Sequence, residues 1–368
     1  MVSMLHGAAR QRARRESGVV KYEVQNAEIV TQAVKAGHGV LITPNHPTHA
    51  DAYAMSEAAR AAKTSFYFMA AWNLFERSSP LARWILQKSG VFSVDREGTD
   101  LAAIKIARDI IREKKHPLVI FPEGEVYHCN QRVTPFREGA AAIALFAARK
   151  ANRKTVCIPC ALKYTYLDDP MPKLEALMTE LERAIHWRPR TESALVDRIY
   201  PVGAALLSLK ELEYLGEVSN GPLPERTRSL AGSILSDQEE RYGLSAGDST
   251  IPERVKALRR AAIVNLEKNG PSAVIDRDLD DLFVAVQLFS YPGNYVVENP
   301  TIDRIAETLD KFEEDVLMRY SPTPRGKRKV TVRFGKPIEA PAERRKSSPE
   351  QLTDELEQAV QAMLDDME

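Results

Sequence analysis

Cysteine is scarce in this chain of 368 residues, which carries only Cys129, Cys157 and Cys160. That excludes a disulfide framework. Cys157-Ile-Pro-Cys160 has no second Cys or His pair at zinc-ligand spacing, so it reads as part of an apolar strand. A reducing, cytoplasmic setting fits. Net charge is missing too: 51 Lys and Arg balance 51 Asp and Glu. No global field therefore draws the chain to nucleic acid or to an anionic membrane, and any such attraction must be local. The most apolar run, Ala140–Ala148, falls well short of the roughly 18 residues of a spanning helix and is bounded by Arg137, Arg149 and Lys150. It predicts a buried core helix, and no signal-peptide pattern opens the sequence. What remains is an ordinary composition, 44% hydrophobic and 28% charged, with enough chain for one large domain or two of common size.

The informative stretch is Asn45-His-Pro-Thr-His-Ala-Asp51. It follows the apolar run Gly39–Thr43, a buried strand by pattern, and leads into a helical pattern over 52–63. Strand-to-helix turns at the carboxyl ends of strands are where open α/β sheets place chemistry. His46 and Asp51 are five apart, and the turn can fold the carboxylate back onto the imidazole. An Asp accepting the Nδ1 hydrogen would fix the tautomer and leave Nε2 free to take a proton from a hydroxyl. Against this stand a plain turn histidine with a helix-start aspartate, and a metal site made of His46, His49 and Asp51. The spacing of those three matches no established zinc pattern, and the expected metal complement is none.

Two further apolar runs end in polar residues: Gly90-Val-Phe-Ser-Val-Asp-Arg96 and Leu118-Val-Ile-Phe-Pro-Glu-Gly-Glu125. His-x4-Asp, a Gly-x-x-Phe-x-x-Arg-like block with Ser93 in the Phe place, Phe-Pro-Glu-Gly, and then Val156-Cys-Ile-Pro159 occur in that order over about residues 20–167. The series resembles the glycerolipid acyltransferase family, which includes the 1-acylglycerol-3-phosphate acyltransferases, and order plus spacing make the signal far more specific than any one block. The resemblance implies His46 as general base and Asp51 as its orienting partner. It also implies Arg96 as a phosphate ligand and an acceptor site including Asn45, Phe121, Pro122, Glu123, Gly124 and Pro159. The bland readings are a surface salt bridge at Arg96 and a Pro-Gly turn at 122–124.

The implied reaction moves an acyl group from acyl-CoA or acyl carrier protein to the hydroxyl of a lysophospholipid or related acceptor, with no other cofactor. Peripheral contact with the inner membrane face accompanies such a substrate, and Arg10-Gln-Arg-Ala-Arg-Arg15 could add about 1 kcal/mol per charge near anionic headgroups; a frayed terminus is the commoner meaning. The rival classes are a metal-dependent hydrolase using His46, His49 and Asp51, and a lipid-binding module without turnover. One departure matters. The family usually continues Phe-Pro-Glu-Gly with Thr-Arg-Ser, whereas this chain has Glu125, Val126 and Tyr127. Lysophosphatidate is thus expected to be a poorer acceptor than a lysolipid with a zwitterionic or cationic headgroup, unless Arg132 or Arg137 replaces the missing guanidinium.

Around these blocks the pattern alternates strand and helix: a helix over 21–36, a strand over 65–70, helices over 80–87 and 100–114, and strands over 117–121 and 155–164. The expected fold is α/β, a mixed, largely parallel sheet flanked by helices, glycerolipid acyltransferase-like, with a mainly helical insertion. From about Asp168 the apolar spacing is helical until Lys329–Ile338, which reads as a strand, and a last amphipathic helix follows. The expected organisation is a discontinuous acyltransferase domain, 1–167 with 326–368, interrupted by a helical insertion at 168–325.

Overall fold

The computed structural model describes residues 2–367 apart from 77, 95–99, 151, 246, 248, 271, 291–292, 320 and 344–346, and for residues 2–9 and 73 the backbone only. The strands are β1 (Val19–Gln25), β2 (Gly39–Pro44), β3 (Tyr67–Ala71), β4 (Val91–Val94), β5 (Leu118–Val119), β6 (Thr155–Tyr166), β7 (Arg328–Phe334) and β8 (Ile338–Glu339). They form one sheet in the order β1-β7-β6-β2-β5-β3-β4, with β8 also on β6. β2 runs parallel to both β5 and β6, β3 runs parallel to β4 and β5, and β7 meets β6 antiparallel. The sheet is therefore mixed and largely parallel, as the strand–helix rhythm implied.

Alternation along the central strands divides the core. Val40, Ile42, Val156, Ile158, Cys160, Leu162 and Tyr164 face one side, against Val30, Ala54, Met55 and Ala58 of helices α2 (Ala27–Lys35) and α3 (Asp51–Ala61). α1 (Val2–Ser17) lies beside α3. Leu41, Cys157 and Ala161 face the other side, with α6 (Leu101–Glu113), α7 (Gly139–Lys150) and the final α15 (Pro349–Asp365). α7 is the core helix expected from 140–148. α4 (Trp72–Glu76) and α5 (Pro80–Lys88) connect β3 to β4. β6 carries Pro159 mid-strand, where a missing N–H would normally break a ladder. Here the far edge of β6 changes partner around it: β8 pairs with 156–157 and β7 with 160–166.

Two local expectations are corrected. The helix expected over 21–36 begins only at Ala27, because Val19–Gln25 pairs in parallel with β7 along the sheet edge. Asn26, at φ 59, separates the two elements. The pairing partner lies some three hundred positions away, so no local window reveals it. The basic segment 10–15 is not frayed: it lies within α1, where Arg10 chelates the buried Glu57 of α3 through Nε and Nη2.

After β6 come α8 (Met171–Ala184), α9 (Leu195–Leu215), α10 (Leu223–Tyr242), α11 (Ile251–Asn269), α12 (Ala273–Ser290), α13 (Tyr295–Glu298) and α14 (Ile302–Leu317). One core joins α8, α9, α13 and α14 through Leu174, Met178, Leu181, Val202 and Leu309. A second joins α9–α12 and takes in Tyr127 and Cys129 from the loop after β5. Where the chain returns to the sheet, Leu167 N donates to Lys327 O at 2.8 Å, and Lys327 N donates to Asp168 Oδ1 at 2.6 Å. Among the described residues no helix is long and apolar enough to cross a membrane.

The return is fastened by buried charge. Arg325, 3% exposed, bridges Asp310 and Glu313 of α14. Burial works against the Glu313 carboxylate, yet Thr323 and Arg325 hold it below the usual range. A depressed folded pKa adds stability that is fully present above the unfolded value near 4.5 and is lost as pH falls through the folded one. Arg325→Met takes one cation from each buried carboxylate, leaving Asp310 with Arg328 and Glu313 with Arg319, and is expected to cost about 1.5–3 kcal/mol in urea unfolding at pH 7. That penalty should shrink as pH falls through the depressed pKa of Glu313, below its ordinary 4.5; an equal penalty there and at pH 7 would remove the ionic origin.

Candidate active site

β2 and β5 are parallel neighbours, so the loops leaving their carboxyl ends share one edge of the sheet. The loop after β2 carries His46, and α3 begins at Asp51. His46 Nδ1 lies 2.7 Å from Asp51 Oδ2. Thr48 N donates to the same oxygen at 3.1 Å, and the Tyr164 hydroxyl donates to Oδ1 at 2.6 Å. Asp51 is fully buried, and these three donors are what allow a carboxylate to sit there. The imidazole itself is 22% exposed, and its ring stacks on Phe121 with centroids 4.2 Å apart. With Nδ1 turned inward, Nε2 is the nitrogen available to a substrate proton.

Glu123 supports the dyad from behind. It is buried, accepts from His46 N at 2.7 Å and from Thr134 N at 3.3 Å, and takes the Thr134 hydroxyl as well. Burial pushes its carboxyl up to about 8 against those donors. Asn45 is also fully buried, and both ends of its amide are committed to Leu162: Nδ2 donates to the carbonyl at 3.0 Å and Oδ1 accepts the N–H at 2.7 Å. Asn130 does the same to Tyr164, at 2.5 and 2.7 Å. Beyond the last pair with β2, Pro44↔Cys160, these two side chains take over the backbone groups of β6 and bind both site loops to it.

Of the residues singled out by sequence, His46, Asp51, Phe121 and Glu123 converge. Pro122 O accepts Arg137 N at 2.7 Å. Gly124 has φ +82, and a Cβ there would lie 2.5 Å from Arg137 Nε, so any other residue would be strained and would displace the guanidinium. Pro159 sits within β6 with its ring against Gly335. Arg96 lies outside the described residues. The proposed hydrolase ligands do not gather: His49 turns away from the dyad to Glu314, Nε2 to Oε1 3.1 Å. Sequence reasoning missed Tyr164 and Asn130. Tyr164 had one signal, a tyrosine on the buried face of a strand whose hydroxyl must find a partner.

The sequence matches the Acyltransferase family model over residues 21–163, which hold these blocks. That segment is similar to the Acyltransferase family. A relative is 1-acyl-sn-glycerol-3-phosphate acyltransferase of Streptococcus pneumoniae (strain ATCC BAA-255 / R6), 31% identical over 124 residues, covering 34% of this chain and 43% of that protein. The match thus spans less than half of the relative's length. The acyltransferase segment contains the dyad, Glu123 and Asn45, and it ends one residue short of Tyr164.

Tyr164→Phe removes one donor to the buried Asp51 and keeps the ring in the core. Hydrogen bonds to charged groups contribute about 1.5–3 kcal/mol, so catalysis should fall roughly 10- to 100-fold in kcat with little change in KM. Steady-state kinetics with an acyl thioester check this; unchanged kcat would show that Tyr164 only packs.

Proposed function

We propose that this protein is an O-acyltransferase that moves an acyl group from acyl-CoA or acyl carrier protein to the hydroxyl of a glycerolipid-type acceptor. The observation that supports it most is the buried Asp51, held by Thr48 N and Tyr164, clamped to Nδ1 of a partly exposed His46. His46 Nε2 takes the acceptor proton as the oxygen attacks the thioester carbonyl. The new C–O bond forms, the C–S bond breaks, and the proton returns to the departing thiolate. General-base assistance of this kind is worth about 10²- to 10⁴-fold. Residues 1–167 and 326–368 then form one discontinuous catalytic domain, with 168–325 as an insertion packed over the loop after β5. Trp72, Leu81 and Trp84 expose apolar surface on α4 and α5, which suits peripheral contact with a lipid phase.

The acceptor follows from the arginines. Arg132 is committed to Phe289, with its guanidinium 3.9 Å over the ring and a bond to the Phe289 carbonyl. Tyr127 packs into the helical region against Phe283. Arg137 instead lies against Gly124, and its Nε is buried without a hydrogen-bond partner among the described residues. Burial and the Arg137 charge pull Arg259 of α11 down to about 10. Two guanidinium groups close enough for one to lower the other's pKa suit an anion. Arg137 thus stands in for the guanidinium absent at position 126, and a phosphate-bearing acceptor is retained.

The test is incubation with acyl-CoA and a panel of lysophospholipids, with products read by mass spectrometry and thiol release followed with and without acceptor. Acylated lysolipid is expected from the wild type. His46→Ala should lose at least about 10²-fold, while His49→Ala loses far less. Hydrolysis of the thioester regardless of acceptor would sink the transferase reading. Arg137→Ala should lower the preference for lysophosphatidate over lysophosphatidylcholine by roughly 10-fold, the loss of one charge-assisted hydrogen bond. An unchanged ratio of initial rates would take the phosphate contact away from Arg137.

A further inference from the structure

His49, His128 and Glu314 come from three distant stretches: the motif loop after β2, the loop after β5, and α14. His49 Nε2 lies 3.1 Å from Glu314 Oε1, and His128 Nε2 lies 2.9 Å from Glu314 Oε2. The imidazoles meet edge to face with centroids 5.8 Å apart. One ligand atom from each residue lies within 4.8 Å of the other two. We infer that these three residues form a site for a divalent transition-metal ion of the zinc class, separate from the His46–Asp51 dyad.

Zinc bonded to nitrogen and oxygen at about 2.0–2.2 Å spaces neighbouring ligand atoms roughly 3.3 Å apart. The two N···O separations here are already near that edge. Two imidazoles and one carboxylate suit zinc better than magnesium or calcium, which favour all-oxygen shells. Three protein ligands leave a fourth tetrahedral position for solvent. A second observation comes from the backbone. His128 is 4% exposed and sits at φ +51, a left-handed conformation that costs a non-glycine residue free energy and persists where the surroundings require its direction. That turn delivers a buried ring to a carboxylate on α14 and to a histidine two residues before Asp51. An ion here would tie the motif loop to the helical region.

The experiment uses untagged full-length protein, stripped with EDTA and titrated with Zn²⁺ against a chromophoric chelator, with bound metal counted by mass spectrometry after gel filtration. One equivalent per chain is expected. His49→Ala and Glu314→Gln should each weaken it by more than the roughly 10- to 100-fold that loss of an outer-shell partner costs, while His46→Ala keeps the equivalent at full affinity. His49 is 33% exposed, so its variant keeps the test decisive even if replacement of Glu314 disturbs folding, which circular dichroism will report. Absence of bound Zn²⁺ in the wild type would overturn the inference. So would an equivalent that survives both ligand substitutions, or one that disappears with His46→Ala.

Discussion

The site depends on how the upper edge of β6 is satisfied. β6 outlasts β2, so its backbone groups at Leu162 and Tyr164 would face a site crevice with no strand to pair. Unpaired buried backbone groups are costly. Asn45 and Asn130 supply the missing pairs, each with one donor and one acceptor from a single amide. The same four hydrogen bonds pin the two loops that must meet: one carries His46, the other follows Glu123. Satisfying the strand and assembling the dyad are therefore one event.

From that constraint the electrostatics follow in layers. Tyr164, once its backbone is held by Asn130, aims its hydroxyl at Asp51. Asp51 then has donors enough to remain in a dry place and to orient His46. Glu123, under the same loop, grips His46 N and Thr134, so the backbone carrying the imidazole is fixed from the opposite side. Rigid support of this kind is what the general-base role proposed for His46 would require, since small misplacements of a base weaken catalysis steeply.

The helical region is bound to this assembly, not merely joined to it in sequence. Tyr127 and Cys129 are buried in its second core. Arg304 of α14 donates to Gln131, and Lys256 of α11 reaches Asp354 of α15. Its ends are stitched by Asp168 with Lys327 and by Arg325 with Asp310 and Glu313. Arg259 and Glu314 therefore stand next to the loops that follow β2 and β5, and a change in the packing of these helices reaches those loops directly.

Much of this was open to local reading. Strands β2 to β7, the core helix α7, the helical stretch after β6 and the pairing of His46 with Asp51 rest on periodicity and spacing, which act over a few residues. The strand expected over Lys329–Ile338, however, divides into β7, ending at Phe334, and the separate β8. What sequence alone left undetermined depends on closure over long separations. Tyr164 meets Asp51 across 113 positions, Asn45 meets Leu162 across 117, and Glu314 meets His49 across 265. Val19–Gln25 became a strand only because β7 returned beside it. Arg137, unlike Arg132, lies against Gly124, a glycine at φ +82 whose missing side chain leaves it room. Residue type and spacing set which chemistry the chain could perform; packing decided which side chains stand around it, because a buried donor, acceptor or charge takes whatever partner the closed fold brings within reach.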